Sequence, residues 1–256
     1  ICAGDVIFSS YLAGNKLVYP TRVRQEFIMS QYYFRCACDR CKGIDTLRPI
    51  NCGSCDDGVG IVWMDSLKDI WTCKICSEQY DAARADEDLY VDVEEQAEAQ
   101  LKVFDDVGDN SDGEQALLGS VEGVNTLLKY LPSAHWTVIF MKRVVLEMSL
   151  RGATELSTDE CERYAFDIAE WVFDVIFPYS PVSAACLLHT YRKILFQQIT
   201  HTESSSVSSG HVFILSAKQQ REKKLLTIMK TLFVYYEIQY GLTDSDVLEW
   251  KRHVHL

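Results

Sequence analysis

Seven cysteines between residues 36 and 76 constrain this chain more than any other feature of it. They form two groups. The stretch "FRCACDRCKG" holds Cys36, Cys38 and Cys41 as C-x-C-x-x-C. The second group runs Cys52-x-x-Cys55, then seventeen residues, then Cys73-x-x-Cys76. Two residues between cysteines let one tight turn aim both thiolates at one ion, and two such turns complete a tetrahedron. The second group is therefore a four-thiolate zinc pattern with ribbon spacing. The intervening "VGIVWMD" and "DIWT" have the residues of a strand hairpin. So short a stretch cannot bury enough core unaided, so the metal is expected to supply its folding energy. With four protein thiolates no position remains for water, and the site reads as structural rather than catalytic.

The first group is one ligand short. Cys2 is the remaining nearby candidate, and the expected answer is a fourth ligand from a segment upstream. Ten cysteines also admit a disulfide framework. The C-x-x-C pairing, and a start that lacks the basic-then-apolar order of a signal peptide, argue for thiolates on metal in a reducing compartment. A first residue other than Met leads us to expect a fragment of a larger protein. Cys161 and Cys186 fall on apolar helix faces and read as small core residues.

Composition narrows the class. The chain is 48% apolar and 24% charged, as a globular protein is, and no apolar run is long enough to span a bilayer. Of the net charge of −12, residues 81–114 carry −11, with two basic against thirteen acidic residues. Nothing is basic enough to suggest direct nucleic-acid binding.

Residues 5–11 read as a strand and "TRVRQEFIMSQYY" as a short helix. Residues 79–113 read as an acidic helix running into a polar break, and 114–256 as a train of helices. Within that train, "STDECERYAFDIAEWVFDVIF" opens on a capping box of Ser157 and Glu160. It continues with an apolar stripe at Cys161, Tyr164, Ala165, Ile168, Trp171, Val172, Val175 and Ile176. Helices are expected to start at Pro132 and Pro181. Their spacing of 49 residues is compatible with a helix-turn-helix repeat as in tetratricopeptide stacks, and equally with an irregular bundle. "TESSSVSSG" reads as a loop. The histidines have no ligand spacing.

The order Ile1, Gly4, Ser10-Tyr11, Pro20-Thr21, Arg24, Tyr32, Phe34, Cys36, Cys38, Arg40, Cys41 resembles the SET- and MYND-domain (SMYD) family where its SET domain ends and its post-SET segment begins. These are S-adenosylmethionine-dependent protein-lysine methyltransferases. The match covers about forty residues. The second cysteine group and the helical remainder are similar, more loosely, to the longer and arthropod-type members. The family's glycine-rich cofactor loop, its Asn-His-Ser-Cys segment and its MYND finger have no counterpart in these residues, and Gly4-Asp5-Val6 departs from the family's Gly-Glu-Glu.

The resemblance implies roles. Tyr11 matches the catalytic tyrosine that closes the SET active site, Tyr32 an aromatic of the lysine channel, and Phe34 the aromatic against the cofactor adenine. Cys36, Cys38 and Cys41 match three post-SET zinc ligands, the fourth coming from the Asn-His-Ser-Cys segment. The expected fold is mainly α. The end of a SET domain and post-SET cluster (1–43) is followed by a four-cysteine zinc ribbon (44–80) and a tetratricopeptide-like helical domain (81–256). The expected function is the C-terminal part of a protein-lysine methyltransferase acting on histone or other lysine-bearing proteins in cytoplasm and nucleus. Zinc and S-adenosylmethionine are its cofactors, and the 256 residues are inactive alone. The alternative is a non-catalytic scaffold for transcriptional regulation whose zinc modules and helices bind protein partners, with no membrane contact.

Overall fold

The computed structural model describes residues 11–12, 16–55, 61–65, 70–81, 90–107, 120–152, 154–189, 191, 194–195 and 217–240. The chain divides into two compact units, Ile1–Arg84 and Ala85–Leu256. The expected strand over 5–11, Tyr11 excepted, lies outside the described residues, as do the polar break after residue 107 and the "TESSSVSSG" loop.

In the first unit, α1 spans Thr21–Tyr32, directly after Pro20. Proline has no side-chain acceptor for the open amides of a first turn. The buried Asp45 supplies one from elsewhere in the chain: its carboxylate accepts from the Thr21 N–H at 2.7 Å. An anion at this end also suits the helix dipole. The helix stops at Tyr33, whose φ of 60° is left-handed and whose N–H donates to the Met29 carbonyl. The single turn α2, Asp39–Lys42, sits within the first cysteine group and leads into the sheet.

Four antiparallel strands follow in sequence order: β1 Ile44–Asn51, β2 Ile61–Asp65, β3 Ile70–Cys73 and β4 Gln79–Asp81. The β2–β3 hairpin is the one the sequence led us to expect, with Val62 opposite Cys73. β1 and β4 were not anticipated. Residues 79–81 pair with β3, placing Tyr80 opposite Trp71, and do not begin the acidic helix. That helix starts at Tyr90 instead. Tyr80 is the reason: at 1% exposure it is a core residue of the sheet, and its burial outweighs the helical preference of its acidic surroundings. Leu47, Ile50, Cys52, Trp71 and Cys73 complete this core, and the Arg48 guanidinium lies 5.7 Å from the Trp71 ring centre.

The described residues of the second unit form helices joined by turns: α3 Tyr90–Val107, α4 Ser120–Leu127, α5 Trp136–Leu150, α6 Thr158–Trp171, α7 Pro181–His189 and α8 Ala217–Tyr240. α5 packs against α3, α4 and α6, and α8 against α6 and α7. The Ser157–Glu160 capping box forms in both directions, at 3.3 Å and 3.0 Å. The stripe from Tyr164 to Ile176 is buried, while Cys161 is half-buried, so it is an edge residue rather than a core one. The side chain of Cys186 lies outside the described residues. α6 runs on through a π turn, Val172–Ile176, where the Phe177 N–H reaches the Val172 carbonyl.

α7 starts at Pro181 as expected. α5 starts at Trp136 and not at Pro132, because His135 is its cap: the His135 side chain accepts from the Thr137 N–H at 3.3 Å. His135 thus precedes the helix and is buried, with Glu94 of α3 at 3.7 Å. Glu94 also accepts from the Trp136 indole N–H at 2.8 Å, tying α3 to α5. The one buried lysine among the described residues, Lys142, is paired with Asp167 of α6 at 2.8 Å. Among the described residues no helix is long and apolar enough to cross a membrane.

Candidate metal centres

The second cysteine group closes on itself. Cys52 and Cys55 follow the end of β1, Cys73 ends β3 and Cys76 follows it, so the antiparallel sheet brings the two turns together. All four sulfurs lie within 4.8 Å of one another, with Cys52–Cys76 at 3.6 Å and Cys55–Cys73 at 3.7 Å. Thiolates about 2.3 Å from a shared tetrahedral centre stand about 3.8 Å apart. The spacing therefore suits one metal ion, and a four-sulfur donor set is compatible with zinc.

Four thiolates this close repel one another, and the protein distributes the protons unevenly. Burial pushes the Cys52 thiol up, but the Tyr80 hydroxyl, the Ser54 N–H and the neighbouring thiols outweigh it and bring Cys52 down to about 6. Burial and the same neighbours push Cys55 up to about 12. Cys73 is lowered, chiefly by the Cys76 backbone N–H. The surroundings thus favour the thiolate form at Cys52 and Cys73 over Cys55. Tyr80 braces Cys52. Its hydroxyl is 3.3 Å from the Cys52 sulfur and accepts from the Ser54 N–H at 3.3 Å.

The first group also converges. The sulfurs of Cys36, Cys38 and Cys41 lie within 4.8 Å of one another, with Cys41 buried and Cys38 exposed. The knuckle is held by the Cys41 and Lys42 N–H groups, both 3.0 Å from the Cys38 carbonyl. Burial pushes Cys41 up to about 12 against the pull of the Arg24 guanidinium. At Cys38 the burial effect is outweighed by backbone N–H groups and the two neighbouring sulfurs, and the thiol is lowered. Three thiolates can hold a metal and leave one position for another donor. Cys2, the nearby candidate, lies outside the described residues.

α1 walls this group. The Gln25 amide brackets the Cys36 peptide, donating to its carbonyl at 2.7 Å and accepting from its N–H at 2.9 Å. Arg40 reaches back to the Leu17 carbonyl at 2.8 Å.

Immediately before this centre, three aromatic residues meet. The Tyr11 ring stands edge-to-face against Tyr32 at 5.2 Å and against Phe34 at 5.1 Å. Tyr11 is 57% exposed and Tyr32 45%, so the triad faces solvent.

All ten singled-out residues thus fall into three clusters. The partners that hold them were missed: Tyr80, Gln25 and the thiolate contact of Arg24. Tyr80 carries no motif, since its position depends on the unanticipated strand β4. A glutamine in an amphipathic helix looks the same whether or not it brackets a peptide. A scan against protein-family models finds no match for the chain, and a search of curated proteins finds none either.

Proposed function

We propose that the chain is the C-terminal part of an SMYD-like protein-lysine methyltransferase, with zinc in both cysteine centres and a tetratricopeptide-like helical domain. One observation carries this reading. Tyr11, distant in sequence, meets Tyr32 and Phe34 as an aromatic triad two residues ahead of the three-cysteine knuckle. An aromatic wall suits a lysine stem and a cationic sulfonium alike, through ring-face attraction and apolar contact. S-adenosylmethionine would supply the methyl group. Tyr11 would orient the lysine amine through its hydroxyl, Tyr32 would line the stem, and Phe34 would lie against the adenine. The exposure of Tyr11 and Tyr32 leaves the triad open to a ligand. The substrates would be histones or other proteins with an accessible lysine, in cytoplasm and nucleus.

The test is methyl transfer from labelled S-adenosylmethionine by a full-length protein carrying this chain. Tyr11→Phe is expected to lower transfer about 10²–10³-fold with cofactor binding retained, the cost of losing a positioned hydrogen-bonding group. Phe34→Ala is expected to weaken cofactor binding. Equal activity in native and variant proteins sinks these roles. A native protein that neither binds the cofactor nor transfers methyl sinks the enzyme reading.

That last result favours a second reading, an interaction scaffold. One observation supports it: the helical unit leaves Tyr130, Leu150, Tyr179 and Val234 between 41% and 52% exposed.

A further inference from the structure

Arg24 is a buried cation in an unusual place. It sits one turn into α1 at 2% exposure. Its guanidinium donates to the Tyr19 carbonyl, to the Thr21 hydroxyl at 2.9 Å and to the Cys41 sulfur at 3.9 Å. Among the described residues no carboxylate forms an ion pair with it. A buried charge held only by neutral dipoles is costly, and the cost falls when an anion is placed beside it. Among the contacts of Arg24 in the described residues, Cys41 is the group that can become an anion, and it does so when it ligates a metal, because the ligand form of cysteine is the thiolate. Three thiolates around a divalent ion leave an excess negative charge, and Arg24 lies where it offsets that excess.

We propose that Arg24 is the counter-charge of the Cys36–Cys38–Cys41 centre, a positioning residue that makes α1 the outer wall of the metal site. The proposal rests on the metal reading of this cluster. Arg24 acts on Cys41 and the next residue, Gln25, brackets Cys36, so two of the three ligands are braced from adjacent positions of one helix. Loading of the centre and ordering of α1 then form one coupled equilibrium. Partners outside the first ligand shell commonly change metal affinity about 10–100-fold, and a charged one acting in a buried setting belongs in that range.

The experiment is zinc binding to a full-length protein carrying this chain, by competition with a chromophoric chelator. Cys38→Ser assigns which binding step belongs to this centre. Arg24→Gln, which keeps polar atoms and loses the charge, is expected to weaken that step about 10–100-fold and to leave the four-cysteine step unchanged. Arg24→Lys is expected to recover part of the loss, as a point charge without the planar fork. The rise in melting temperature that zinc produces at this step is expected to shrink in Arg24→Gln. A merely structural arginine would lower the stripped and loaded forms alike. As a measurement that needs no Arg24 variant, amide exchange on the native chain is expected to show residues 21–32 gaining protection as this step fills. Native-like affinity in Arg24→Gln, an unchanged zinc-induced shift, or no gain of protection in α1 overturns the proposal. Loss of no zinc step in Cys38→Ser overturns the metal reading beneath it as well, and is told apart by that variant alone.

Discussion

Tyr80→Phe removes one oxygen atom and is expected to loosen the four-cysteine centre. The hydroxyl lies 3.3 Å from the Cys52 sulfur and 3.3 Å from the Ser54 nitrogen, and the residue is 1% exposed, so water does not take its place. A hydrogen bond to a charged acceptor contributes about 1.5–3 kcal/mol net. Ser54 also loses a partner for its N–H. The ring remains to pair with Trp71 across β3 and β4, so the sheet is expected to persist. A loss of about 1.5–3 kcal/mol corresponds to roughly 10–100-fold in affinity, at about 1.4 kcal/mol per factor of ten. The assay is chelator competition, read beside the cobalt(II) charge-transfer band. In Tyr80→Phe the band is expected to keep its tetrathiolate form while the dissociation constant rises. An affinity within twofold of native refutes the reasoning. So does the appearance of a trithiolate spectrum, since Cys52 itself would then have left the metal.

Chelation of metal from the whole chain is expected to abolish the strand signal of the first unit while the helices α3 to α8 keep their circular dichroism, because both cysteine groups lie within Ile1–Arg84. Ser157→Ala removes the α6 capping box and is expected to cost about 1 kcal/mol, read as a fall in melting temperature of the helical unit. Its Ser157 contacts hold the Glu160 carboxylate below the usual range. A depressed carboxylate adds stability above its unfolded value and loses it as pH falls, so the gap between native and variant should narrow below about pH 4. Asp167→Ala leaves Lys142 buried without its partner and is expected to destabilise by about 3–5 kcal/mol, whereas Lys142→Met should be far milder. Comparable denaturant midpoints for these two variants would contradict that reading.

The parts of the structure legible in the sequence are those whose physics is local. A C-x-x-C turn works through two residues, a capping box through three and an apolar stripe through successive helical turns. Each of these formed where the letters placed it: Cys52 to Cys76, Ser157 with Glu160, Tyr164 to Ile176. What escaped depends on partners far along the chain. Asp45 caps α1 from 24 residues away, where Pro20 gives no hint of a cap. Strand β4 exists because Tyr80 completes a core, in a stretch whose acidic neighbours suggest helix. His135 displaced the expected start at Pro132 because its imidazole happened to fit the first turn.

The left-handed residue at Tyr33 decides which rings can be neighbours. Two residues apart on a continuing helix, Tyr32 and Phe34 would project to nearly opposite sides. One residue of reversed hand breaks that projection, and both rings then reach Tyr11. Tyr33 itself is 84% exposed and contributes its backbone sign rather than its side chain. The triad therefore has a parity. Asparagine or glycine at position 33 would keep it, since both tolerate this region, and a β-branched residue would tend to carry the helix onward and part the two rings.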